Sequence, residues 1–285
     1  MQFGFPGTLD VPDGRYLVQA GPNDDGQRVL VVETVGAPPP PRRRRRRPKE
    51  TDSNAEPAPL PLTLVTAVRA QEPFDSASEA GRWLEDTVAA EDSIDAAVAD
   101  GIGLLNRALH AHATASADPL GAELSVERAA VVRVGHGSGE EVASGRFSAA
   151  HEVDVHATSG SGRHRRDEQL RPQERLAAVL GGRERLDACE TLILRTRADL
   201  DASRYREAAL QLRVGLEAML IELDGALADS GHEEDMAELG ERRREAGEAA
   251  NEALHRSLDI EHERQVRELT EICERVLRRR RVLRG

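Results

Sequence analysis

Two runs near the start of the chain, Tyr16 to Ala20 and Arg28 to Val35, are rich in β-branched and aromatic residues and are separated by the turn-forming GPNDDG. Such a pattern predicts an antiparallel hairpin. A third run, LPLTLVTAVRA, restores the alternation and predicts a third strand in the same sheet. Between them lies APPPPRRRRRRPKETDSNAEPAPLP, in which prolines remove backbone donors and adjacent like charges repel, so no packed element is expected at about residues 37–60. With strands of one sheet on both sides, this segment reads as a loop extruded from a domain.

The period then changes. Ser76 and Glu79 form a capping box that opens a helix through Trp83 and Val88, and Ile94, Val98, Ile102, Leu105 and Leu109 repeat at three- and four-residue steps in a longer one. Pro119 and Gly121 interrupt it, Ala129 to Val134 predicts a strand, and the last β signal is near Val155. ATSGSGRHRRDEQ has the composition of a flexible linker, and everything after Pro172 reads as helix.

That helical part opens with PQERLAAVL, with proline at a tolerated first-turn position, and breaks at Gly181 and Gly182. Leu186, Cys189, Ile193 and Leu200 mark the next helix, and Asp201 and Ser203 are candidate caps for the one after it, YREAALQLRVGLEAMLIEL. In this most apolar helix Tyr205, Ala209, Leu212, Leu216, Met219 and Leu223 form one stripe, and Leu210, Val214 and Ile221 a second. Two stripes predict burial on two sides, as in the central helix of a bundle or a dimer. Gly231 is a candidate stop, and the remainder is either one very long helix or two that turn near Ser257. Val266, Leu269, Cys273 and Val276, at 3-4-3 spacing, have the form of a coiled-coil seam. The expected fold class is α+β: a mixed α/β module with a small sheet at residues 1–156, a linker at 157–170, and an all-α bundle at 171–285.

Composition narrows the functional classes. The 285 residues carry a formal net charge of −12, which argues against coating of DNA or membrane by the molecule as a whole. Aromatics are 2% of the chain, too few for the stacking platforms on which single-stranded nucleic acid is usually held, and the cores must be built from Leu, Val and Ala. No window approaches a membrane span and no charged-then-apolar leader opens the sequence, so a cytoplasmic protein with no membrane partner is expected. Cys189 and Cys273 are the only cysteines and fall on apolar stripes, as buried thiols would in a reducing compartment.

Candidate chemistry is sparse. VVRVGHGSGEE has closely spaced glycines after a strand, but Glu140 stands where a dinucleotide fingerprint needs glycine, and the run reads as a Gly-rich hairpin turn. There is no P-loop sequence. His110 and His112 are two apart on a helix and diverge, with only His112 continuing the buried stripe, and His151, His156 and His164 lack carboxylate or thiol companions; no metal and no cofactor is expected from them. Arg42, Arg43, Arg44, Arg45, Arg46 and Arg47 could pair with phosphates and give a salt-dependent affinity for nucleic acid. The terminal ERVLRRRRVLRG suits the negative end of a helix dipole.

The helices from about 184 to 283, with SRYREAALQLRVGLEAMLIEL as the central one, resemble the HEPN class of small helical domains, some of which are metal-independent RNases. Arg256 and His262, in RSLDIEH, stand near the start of the last helix with the Arg–His spacing of active members. The resemblance implies that a dimer would bring two such pairs together around RNA, with Arg256 orienting the scissile phosphate and His262 assisting proton transfer. From the residues themselves the leading expectation is a non-catalytic module that pairs with itself or with a helical protein. RNA cleavage through Arg256 and His262, and nucleic-acid binding through the arginine tract, are the alternatives.

Overall fold

The computed structural model describes residues 1–21, 24–36, 60–69, 73–154 and 172–284. The fold class is α+β. The chain divides into two compact units, Met1–Thr158 and Ser159–Gly285.

The first unit is built on a six-stranded antiparallel sheet of β1 (Gln2–Pro6), β2 (Gly14–Gly21), β3 (Asp24–Val35), β4 (Leu62–Arg69), β5 (Val131–His136) and β6 (Ala149–Glu152), in the order β2-β3-β4-β1-β5-β6. The expected hairpin is β2–β3, and β4 pairs with β3, Val32 opposite Val65, so the strands flanking the arginine tract are neighbours in one sheet. The tract itself, Arg42 to Arg47, lies outside the described residues.

Strand β1 is not anticipated by the pattern, because glycine and proline occupy two of its five positions and only Phe3 and Phe5 carry an alternating signal. Yet it sits between β4 and β5, and both phenylalanines are buried. Their face joins Leu30, Val32, Val65, Val132 and Val134 in one core.

Helices α1 (Ala77–Ala89) and α2 (Glu91–Ser116) supply the other half of that core, chiefly Val98, Leu104, Leu105 and Leu109. Ser76 caps α1 as its sequence predicts, accepting a hydrogen bond from the Glu79 amide at 3.1 Å, while the Glu79 carboxylate accepts one from the Asp75 amide at 2.9 Å. Where α2 crosses β1 it carries Gly101, and a Cβ there would stand 2.8 Å from the Phe3 ring. Asp100, one residue earlier, pairs with Arg28 of β3 and with Arg69 of β4, so charge as well as apolar contact fastens α2 to the sheet. The glycine-rich GHGSGEE run holds a one-turn helix, α3 (Gly139–Ala143), inside the β5–β6 connection. The strand that follows is Ala149–Glu152, and Val155, at which the β signal is centred, lies outside the described residues.

The second unit is all helix: α4 (Pro172–Leu180), α5 (Ala188–Asp201), α6 (Tyr205–Glu222), α7 (Ser230–Glu241), α8 (Arg243–His255) and α9 (Ile260–Arg284). Its core is the predicted first stripe of α6, Ala209, Leu212, Leu216, Met219 and Leu223, closed by Cys189 and Ile193 of α5, Ala246, Ala249 and Ala253 of α8, and Val266, Leu269, Cys273 and Val276 of α9. The 3-4-3 residues are thus spent inside the chain's own bundle rather than in a seam between chains.

Boundaries differ from the sequence reading in four places. Leu186 precedes α5 and is exposed. Neither Asp201 nor Ser203 caps α6: Asp201 ends α5, Ser203 takes a left-handed φ of 58°, and Arg204 occupies the cap position, its guanidinium turned to Asp199 and not to the free amides of α6. Gly231 lies in the first turn of α7, and the preceding turn is made by Gly225 at φ 62°. The final stretch is three helices, because Arg242 breaks it a second time upstream of the expected turn at Ser257. Gly240 stands two residues before that break, a signal the sequence reading did not use.

Two helical glycines give a test of this packing. Gly103→Ala, where a Cβ meets nothing, should stabilise the protein by about 0.5–1 kcal/mol through helix propensity. Gly101→Ala should cost about 1–3 kcal/mol, because the Phe3 ring has to move. Paired urea titrations read both, and equal effects would show that α2 does not press on β1 at this point.

Candidate functional site

Two places in the helical unit carry features that folding alone does not use. The first is the outer face of α6. Residues 100° apart put Leu210, Val214 and Ile221 diametrically opposite the buried stripe. Among the described residues this second stripe is not covered, so of the two expected settings, bundle or dimer, the bundle does not bury it: Val214 is 55% exposed and Ile221 77%, with only Leu210 half-buried against the core. The exposure follows from how α6 is held. On one flank α5 comes so close that a Cβ at Gly215 would stand 3.0 Å from Ile193 and 3.1 Å from Leu192. On the other flank Arg213 bonds Asn251 of α8 at 3.1 Å and Arg243 pairs with Glu217. With α9 behind, three sides are filled and the fourth is left bare.

Beside this bare side runs a groove of about 500 Å³ whose walls include Arg213, Glu217, Arg243, Glu248 and Asn251. Its charges are already paired: Arg243 with Glu217, and Arg244 with Glu248 at 3.4 Å. Gly240 and Gly247 also border it, each with open space where a side chain would stand. A second groove, of about 390 Å³ in the sheet unit, is bordered by Val11, Pro12, His112, Ser116 and Asp118. His112 is half-buried and His110 exposed, in the sense their spacing predicts. His151 lies exposed on the edge strand β6, and His156 and His164 lie outside the described residues.

The second place is the turn between α8 and α9, which Arg256 and His262 flank. Arg256 is the residue after α8, exposed, with its Nε on Glu252, and that hydrogen bond raises its pKa further above the guanidinium range. His262 lies in the first turn of α9. Its backbone amide donates to Asp259 at 2.8 Å, and its Nδ1 stands 2.9 Å from the same Oδ1. Chiefly because it accepts that backbone bond, the Asp259 carboxyl is held below its ordinary pKa. Arg256 therefore falls before the last helix, His262 within it, and each is engaged by its own carboxylate. Sequence spacing finds the Arg–His pair but not Glu252, which comes from the preceding helix and carries no motif.

The basic carboxy-terminal run is likewise absorbed. Arg279 lies 3.1 Å from Asp235 and 3.6 Å from Asp229, Arg280 pairs with Asp187, and Arg281 approaches Glu190 at 3.8 Å. Glu190 is 3% exposed and also receives Arg175 of α4 at 2.7 Å. Such partly buried pairs fix where α4, α5 and α7 sit on α9 rather than leaving a basic patch for phosphate.

No helix among the described residues is long and apolar enough to cross a membrane. No protein-family model, curated protein or solved structure matches the chain.

Both thiols sit in the helical core. Burial, and then Glu222, pushes Cys189 up to about 12; burial, and then Cys189 itself, does the same for Cys273. Since the thiolate is the reactive form, both should resist alkylation at pH 8 in the native protein and react in guanidinium at the rate of a free cysteine. Mass spectrometry after timed iodoacetamide treatment reads this, and rapid native labelling at either position would contradict the packing of α5 against α9.

Proposed function

We propose that the helical unit is a non-catalytic self-association module whose contact surface is the outer face of α6. The observation that carries this reading is the pair of branched side chains, Val214 and Ile221, held in water two turns apart on the most apolar helix of the chain. Exposing them costs roughly 1.5–3 kcal/mol each relative to burial, and a partner surface recovers that. Ala218 lies between them and is small enough to let a second helix approach. Charges of both signs flank the stripe, Arg213 on one side with Glu217, and Glu207 on the other, so the surface offers each charge a complement when it meets its own copy. This self-complementarity is what an isologous dimer requires and favours a second copy over an unrelated helix.

A second reading, RNA cleavage by Arg256 and His262, is favoured by their place on either side of one turn, and the lock of each side chain on a carboxylate places it behind the first. Metal-free incubation with end-labelled RNA, beside His262→Ala, separates the two readings.

Sedimentation velocity across a wide concentration range is the test of self-association. The wild type should shift from monomer to dimer as concentration rises, and Ile221→Asp should remain monomeric with an unchanged helical circular dichroism spectrum, because that side chain supports nothing inside the chain. A strictly monomeric wild type would overturn the proposal.

A further inference from the structure

Three side chains able to bind a metal meet at the α8–α9 turn: Glu252 in the last turn of α8, Asp259 at the cap of α9 and His262 one turn into it. One donor atom from each lies within 4.8 Å of the other two, and among the described residues no other group of three or more does this. The donors come from both sides of the turn between α8 and α9, which brings Glu252 of the one helix beside Asp259 and His262 of the other. The Glu252 side chain is only 17% exposed and that of His262 24%, so two of the three are largely withdrawn from water. Asp259 is held in place by the two contacts it receives from His262.

The spacing suits coordination. A zinc-type ion holds nitrogen and oxygen ligands at about 2.0–2.2 Å in a tetrahedron, so two ligands stand roughly 3.4 Å apart around it. The separation of His262 Nδ1 from Asp259 Oδ1 is 2.9 Å, and a metal would replace the proton they share once the two donors part by about 0.5 Å. Glu252 completes the set after a small movement of its flexible side chain. Charge points the same way. With the imidazole neutral, Glu252 and Asp259 against Arg256 leave the cluster with a deficit of positive charge, and Glu261 and Glu263 stand in the same turn of α9. One imidazole nitrogen with two carboxylate oxygens is a donor set for a borderline first-row ion rather than for calcium or magnesium, which prefer oxygen alone.

We propose that Glu252, Asp259 and His262 form a binding site for a divalent transition ion of the zinc type, with water filling the remaining positions. The ion would tie the end of α8 to the start of α9, and Arg256 would act as its competitor for Glu252. The proposal is independent of self-association through α6, which lies on other residues.

The test uses the full chain, stripped with chelator and titrated with zinc by calorimetry and with cobalt by visible absorption. The expected result is saturable binding in the wild type, weakened at least about tenfold in His262→Ala and in Glu252→Gln, and tightened in Arg256→Ala because Glu252 is released. Circular dichroism confirms that each variant retains its helices. The absence of saturable binding in the wild type would overturn the proposal, as would an affinity unchanged in both His262→Ala and Glu252→Gln, which would assign the ion to other residues.

Discussion

The helical unit depends on the close approach of α5 to α6 at Gly215. A larger residue there would drive Ile193 and Leu192 outward and open the layer that Cys189, Ile193 and Leu200 build against Leu212, Leu216 and Met219. The turn between the two helices is correspondingly tight. Ser203 takes a left-handed conformation, and Asp199, almost fully buried, receives Arg204 Nε at 2.8 Å and Gln211 from within α6. A buried carboxylate is tolerated only when so partnered, and removing one partner from such a pair costs about 3–5 kcal/mol. Close packing on this flank and ion pairs to α8 on the other leave α6 no freedom to rotate its second apolar stripe inward. The bare face is thus a consequence of how the core is closed.

Much of this was legible in the sequence, for identifiable reasons. Alternation located β2, β3 and β4, and the capping box located α1 to the residue, because both signals are local. The first stripe of α6 and the 3-4-3 residues of α9 were identified as buried positions, but the period of a helix says that a face is apolar and not what covers it. Hence the residues read as a helix-pairing seam pair α9 with its neighbours in the chain's own core, and the second stripe, read as buried in a bundle or a dimer, is exposed among the described residues. β1 escaped notice because its place between β4 and β5 is set by long-range pairing, and the break at Arg242 because a single glycine, Gly240, can sit inside a helix as well as end one.

The candidate sites follow the same division. Arg256 and His262 share a short stretch of sequence and could be picked out by spacing. Glu252 could not, since its relevance arises only when the turn folds α8 against α9. The arginine run at the carboxy terminus was read as suiting the negative end of a helix dipole, and nothing in the local sequence indicates that Asp187, Glu190, Asp229 and Asp235 take up three of its guanidinium groups. What remains outside the demands of folding is small: one bare helix face and one turn with converging donors.

Self-association through the outer face of α6 would cover that face with a second copy. The most direct measurement is the distance between spin labels attached at Asp224→Cys, an exposed position just beyond α6 and clear of the stripe, by double electron–electron resonance; the native thiols are buried, so labelling is selective. Helices packed through this face have axes about 8–10 Å apart, and a label about 10 Å along the axis from the middle of the stripe then stands within about 40 Å of its copy, with a modulation depth that falls on dilution. A concentrated sample with no dipolar modulation, or with a distance well beyond that range, would contradict the claim.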